Sequence, residues 1–145
     1  MSEKKQDWDM EAIVLEAVNR LPGGFAIFGP NHEILMSNDQ NARDFAVTNQ
    51  ALREGCSWLE ATRRGVDAVI PDLTPEQSIE IAEGIVSALG RGEHVELKTA
   101  HGTIMQVVEI PLSFGGFVGV GADVTALRER ERELRKARKE AEAAN

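Results

Sequence analysis

A chain of 145 residues, 42% apolar, with 16 basic and 24 acidic side chains and a net charge of −8, has the make-up of one globular domain with some additional helix. The acidic balance excludes the basic face that a nucleic-acid partner needs, and no apolar run approaches the roughly 18 residues of a membrane span. Cys56 is the only cysteine, which excludes an internal disulfide and any CxxC metal or redox pair.

The opening stretch, MSEKKQDWDMEA, lacks the apolar core of a secretory signal, so a cytoplasmic domain is expected, with no membrane contact in this segment. From about Asp9 to Leu21 the residues Met10, Ile13, Val14, Ala17, Val18 and Leu21 repeat at helical spacing and form one apolar stripe. Pro22-Gly23-Gly24 stops that helix. Gly24 to Phe28 reads as a buried strand, Gly29-Pro30-Asn31-His32 as a turn, and Ile34 to Asn38 as the returning strand of a hairpin. Asn38-Asp39-Gln40-Asn41 is rich in capping side chains and starts a short helix through Phe45.

Two capping boxes follow. Ser57-Trp58-Leu59-Glu60 opens a helix ending near Gly65, with Glu60 expected to reach back to the cap. Thr74-Pro75-Glu76-Gln77 opens a second, with proline at its first position; Ile79, Ala82, Val86 and Leu89 form one face, Ile81 and Ile85 widen it, and Gly90 terminates it. Val95, Leu97 and Thr99 then alternate with Glu96 and Lys98, as in a half-solvated strand. Ile104 to Leu112 is a longer strand, Gly115-Gly116 closes a turn, and Phe117 to Val124 is the last strand.

The tail from Ala126 to Asn145 is chemically distinct. It carries seven basic and five acidic residues, a local charge of +2 against −10 for the rest, which places a boundary near Thr125. In heptad register Leu127, Leu134 and Ala141 occupy a, and Arg130, Ala137 and Ala144 occupy d, a thin seam. Glu131–Arg135 and Arg138–Glu142 are expected i,i+4 pairs. A lone helix of this composition is marginal, so it is read either as a fraying solvated helix or as half of a weak two-helix coil.

The element order, with Leu21-Pro22-Gly23-Gly24-Phe25-Ala26-Ile27-Phe28 at the front and Gly119-Val120-Gly121-Ala122-Asp123-Val124-Thr125 at the back, resembles a PAS domain. It is most similar to the sensory PAS modules of bacterial histidine kinases. The front stretch resembles that family's LPxGhxhFD motif and Asp123-Val124-Thr125 its D-[IV]-T terminus, although Gly29 stands where aspartate is usual and His32 where glycine is usual. The resemblance implies an α+β fold: a five-stranded antiparallel sheet with short helices on one face, an amphipathic N-terminal helix and a long C-terminal coiled-coil helix. It divides the chain into a cap helix (1–21), a PAS domain (22–125) and a signalling helix (126–145) leading to an effector outside this sequence.

It also implies a function: a non-catalytic sensory and dimerisation module, with the Asp123-Val124-Thr125 junction passing conformational change into the C-terminal helix. Ile13, Val14 and Val18, with Leu127 and Leu134, are the expected homodimer contacts. The effector is expected to be a histidine kinase, with a nucleotide-cyclase-type enzyme as the alternative. A ligand cavity between sheet and helices would be lined by Ile27, Met36, Phe45, Trp58, Ile85, Leu97, Met105, Val107 and Val120, and a small apolar molecule would be the input; an ordinary filled core is the competing reading. Gly119 and Gly121 leave part of one sheet face bare.

No catalysis is expected. Glu60, Glu76, Glu80, Glu83 and Glu93 fall on helix surfaces or caps without acid–base pairing, and no G-x-S-x-G, P-loop or HExxH occurs. His32, His94 and His101 are expected at the surface. None lies on the Pro75–Leu89 helix where haem-binding PAS domains place a ligand, and none is spaced for zinc. Cys56 lacks the NCRFLQ-like context of flavin PAS domains and reads as a partly buried structural thiol. The expectation is therefore no metal and no cofactor, neither haem nor flavin.

Overall fold

The computed structural model describes residues 7–144. Expectations about residues 1–6 and 145, including the charged opening of the chain, lie outside them. In chain order the elements are α1 (Met10–Asn19), β1 (Gly23–Phe28), β2 (Ile34–Ser37), α2 (Asp39–Asp44), α3 (Ala46–Arg53), α4 (Trp58–Val69), α5 (Pro75–Gly90), β3 (Val95–Lys98), β4 (Ile104–Pro111), β5 (Phe117–Asp123) and α6 (Thr125–Ala144). The five strands form one antiparallel sheet in the order β2-β1-β5-β4-β3. The α+β architecture expected from the sequence is the one observed.

Side-chain alternation splits the sheet into two faces. Ala26 and Phe28 point toward the helices and join Ala51, Leu52 and Ala61 in the central core, with Ile34, Cys56, Trp58 and Phe117 packed against it. The register then sets Gly119 beside Ala26 and Glu109, and Gly121 beside Gly24 and Val107, on that inner face.

The loop after β1 turns at His32, which adopts φ of 60°. This is the left-handed region where glycine is usual and where histidine is among the better-tolerated residues.

The helices start where capping chemistry predicts. Asp9 Oδ1 accepts from Ala12 N to begin α1. Thr74 and Gln77 form both halves of the capping box on α5, with Pro75 at the first position. Ser57 caps α4 by accepting from Glu60 N at 3.1 Å, but Glu60 does not reach back. Its carboxylate is taken by Arg63 and Arg64. The hydrogen bond from Arg63, helped by Arg64 and opposed by slight burial, lowers that carboxyl to about 2. Helix α4 also runs through Gly65 to Val69, because Val66 is buried and keeps the helix in register with its neighbours.

Asn38 holds the front of the fold together. It is fully buried, and its amide meets four backbone groups: Oδ1 accepts from Phe25 N and Asn41 N, while Nδ2 donates to Val18 O and Gly23 O. One side chain therefore caps α2, pins β1 and secures the C-terminal end of α1. Beyond that anchor, Val18 is the only buried residue of α1. Met10, Ile13 and Val14 lie 62%, 41% and 49% exposed, so the apolar stripe is uncovered.

Candidate functional site: a cavity and the junction to the last helix

Helices α2 to α5 stand off the middle of the sheet and leave a cavity of about 820 Å³, within the range of small-molecule sites. Gly119 and Gly121 border it, but neither leaves the sheet bare: the Phe28 ring covers the first, and Met105 and Val107 cover the second. Phe45, Trp58, Ile85, Leu97 and Val107 line the cavity. Ile27 and Met36 do not. They pair with one another across the β1–β2 ladder and alternate to the outer face of the sheet, away from Ala26 and Phe28. Met105 is on the inner face but wholly buried between Leu97 and Asp123, and it does not border the cavity. Val120 borders the cavity, but strand alternation turns its side chain to the outer face, where it is 39% exposed.

The polar groups around the cavity were not foreseen. Asn41 Oδ1 accepts from Ser37 Oγ at 2.8 Å and from Asn49 Nδ2 at 2.9 Å, so two cavity-lining amides form a fixed network. Glu109, 6% exposed, is a cavity-lining carboxylate. His32, expected at the surface, is instead enclosed. Its ring stacks on Trp58 at 4.5 Å and on Phe117 at 4.7 Å, nearly parallel to both, and Nε2 lies 3.1 Å from Glu109 Oε1. The left-handed backbone at His32 turns the side chain back over the sheet. His94 and His101 are exposed. Sequence alternation carried the signal for Glu109, which shares the phase of Met105 and Val107. No local pattern carried one for His32.

At the other end of the sheet the last strand passes directly into α6. Asp123 Oδ1 accepts from Thr125 N at 2.9 Å and from Thr125 Oγ1 at 2.6 Å, and Thr125 Oγ1 in turn accepts from Ile104 N at 2.8 Å. Val124 N donates to Ile104 O at 2.9 Å. The threonine therefore does not cap the helix by taking one of its amides. It binds β4 and is itself held by Asp123. These two bonds, the hydroxyl's first and then the amide's, lower the Asp123 carboxyl below its ordinary range. One turn on, Arg128 clasps Glu96 of β3 and Glu131 of its own helix, which leaves Glu131 with Arg128 rather than with Arg135. Arg138–Glu142 forms as expected, at 3.2 Å. Past this first turn α6 buries nothing; Leu127 and Leu134 are 51% and 64% exposed.

An antiparallel five-stranded sheet, a helical layer over a hollow centre and a helix issuing from the last strand define an α+β domain built around a cavity. The chain belongs to the PAS fold family, whose profile matches residues 18–132. Solved structures similar to it include a domain of the sensory box sensor histidine kinase/response regulator from Geobacter sulfurreducens, at 16% identity over 79% of this chain and 94% of that one, TM-score 0.47. Another is the PAS domain of BvgS from Bordetella pertussis, at 19% identity over 92% of this chain and 99% of that one, TM-score 0.46. A domain of an HTR-like protein from Haloarcula marismortui matches at 18% identity over 72% of this chain and 100% of that one, TM-score 0.38. No curated protein matches the sequence. Among the described residues no helix is long and apolar enough to cross a membrane.

Proposed function

We propose that this PAS domain is the sensory and dimerisation module of a bacterial signal-transduction protein, a cytoplasmic histidine kinase of a two-component system, and is itself non-catalytic. The observation that carries this reading is the junction: Asp123, Val124 and Thr125 tie the first turn of α6 to β4, yet the rest of that helix buries nothing. A charged helix with so little to cover is stabilised chiefly by tertiary or quaternary packing. A second copy supplies it through Leu127 and Leu134, and the uncovered face of α1 supplies a second contact through Ile13 and Val14. Val18 serves α1 differently, since it is buried within its own chain. A weak seam of this kind changes register or crossing angle at little energetic cost, which suits a helix that relays a signal to an effector.

The second reading concerns the input. The cavity favours a small apolar-bodied ligand, bound without haem, flavin or metal, whose occupancy biases the sheet and through it the junction.

Light scattering and absorption spectra of the purified chain test both parts. A dimer mass is expected, falling to that of a monomer in the double variant Leu127→Glu, Leu134→Glu and weakening when residues 1–21 are removed, with no absorption band in the visible. A monomer throughout would end the dimer reading; a coloured protein would end the cofactor-free one.

A further inference from the structure

Two carboxylates are walled into the cavity, and the His32 imidazole is the one enclosed base beside them. Glu109 is more than nine-tenths buried and gives Oε1 to His32, whereas Oε2 has no hydrogen-bond partner among the described residues and is not sealed off. Asp44 in the helical wall has no ion-pair partner among the described residues; its Oδ2 is buried and unpartnered. The basic residues that border the cavity, Arg43, Lys98 and His101, are exposed and form no ion pair with either carboxylate. A buried carboxylate is costly unless it is paired and fully hydrogen-bonded, and His32 meets only one oxygen of Glu109.

The other oxygen belongs to a side chain that lines the cavity. Gly119 lies directly across the β4–β5 ladder from Glu109, the Phe28 ring covers it, 3.2 Å from where a Cβ would stand, and the rings of Phe28 and Trp58 line the same cavity. A half-paired carboxylate on a cavity wall that also carries aromatic rings matches an ammonium group by charge-assisted hydrogen bonding and cation–π attraction. It repels a carboxylate and gives an uncharged ligand nothing to replace the charge.

We infer that the cavity takes an organic cation, a primary or secondary ammonium on an apolar body, with the ammonium donating to Glu109 Oε2 beside Phe28 and Trp58. This rests on the reading of the cavity as the input site. Other cavity-lining groups suit the rest of such a molecule: Ile85, Leu97 and Val107 offer apolar contact to its body.

The test is calorimetric titration of the whole chain at neutral pH with three probes that share one apolar body: naphthylethylamine, naphthylethanol and naphthylacetate. The amine is expected to bind at least about tenfold more tightly than the alcohol, a difference of about 1.4 kcal/mol, with the acetate weakest. Glu109→Gln is expected to bring amine and alcohol to within about threefold, consistent with losing a charge-assisted hydrogen bond. Ile85→Trp, which fills the cavity from the helical side, and Leu97→Trp, which fills it from the sheet side, are expected to remove binding of all three. If the alcohol or acetate equals the amine in the wild-type protein, the cation inference falls while the cavity reading stands. If none of the probes binds, or if binding survives both filling variants, the cavity reading falls and takes the inference with it. The wild-type ranking decides the matter even where Glu109→Gln fails to fold.

Discussion

At the scale of single residues, Asn38 and Asp123 do more than their neighbours because each satisfies backbone groups from different elements. Replacing Asn38 by alanine strands two amides and two carbonyls around a fully buried site. Buried groups left unpaired cost about 1–3 kcal/mol each, so a loss of at least about 3 kcal/mol in urea unfolding is expected. Thr74→Ala, which removes only an exposed helix cap, should cost about 1 kcal/mol. Equal losses for the two would mean that Asn38 is no more than a cap.

Asp123 makes a prediction in pH. Its carboxyl is lowered on folding, first by the Thr125 hydroxyl and then by the Thr125 amide. A depressed acid stabilises the fold above its unfolded pKa, and that contribution disappears as pH falls through the folded value. The junction should therefore hold at neutral pH and loosen only below the ordinary carboxylate range. The amide resonances of Thr125 and Arg128 report it: a shift in that acidic window is expected in the wild-type protein and absent in Asp123→Asn. A midpoint at or above the ordinary carboxylate range would contradict the hydrogen-bonded geometry.

At the scale of elements, the parts legible in the sequence were those specified by local chemistry. Every strand is found within about a residue of where alternation and turns placed it, and the Thr74–Gln77 box is complete. What was hidden depends on residues far apart in the chain. Helix α3 has no side-chain cap, and AVTNQALR has no strong helical signature; burial of Asn49, Ala51 and Leu52 against the sheet and α4 makes it a helix. The His32 stack needs Trp58 and Phe117, which only the tertiary fold brings to the first hairpin. The family resemblance put Ile27 and Met36 in the cavity without regard to which sheet face they occupy. Strand phase decides the matter, because a residue one step from Ala26 or Phe28 must face the other way. The same phase would have shown Glu109 facing inward. The polar half of the site was thus present in the alternation of β4 but was masked by the apolar residues around it.

At the scale of the whole molecule, stability is unevenly distributed, and that unevenness separates a solitary domain from a paired one. The centre of the sheet, β1 with β5 and β4, is tied by two long ladders and lies beside the core. Among the described residues, helix α6 past Arg128 has only its own hydrogen bonds and surface ion pairs, and α1 is anchored only at its end. Exposed pairs contribute at most about 1 kcal/mol each, too little to protect twenty solvated residues by themselves. In a monomer both helices should exchange their amide hydrogens close to unprotected rates at any protein concentration, while the sheet centre exchanges only through near-global opening. In a dimer built on α1 and α6, protection of these two helices rises with concentration by mass action, whereas protection in the sheet changes far less. Hydrogen exchange measured across a hundredfold dilution series is expected to show that contrast, with Leu127→Glu, Leu134→Glu abolishing it in α6. Concentration-independent exchange in both helices would mean that the apolar residues they expose have no partner in a second copy, and the coiled-coil role of α6 would have to be given up.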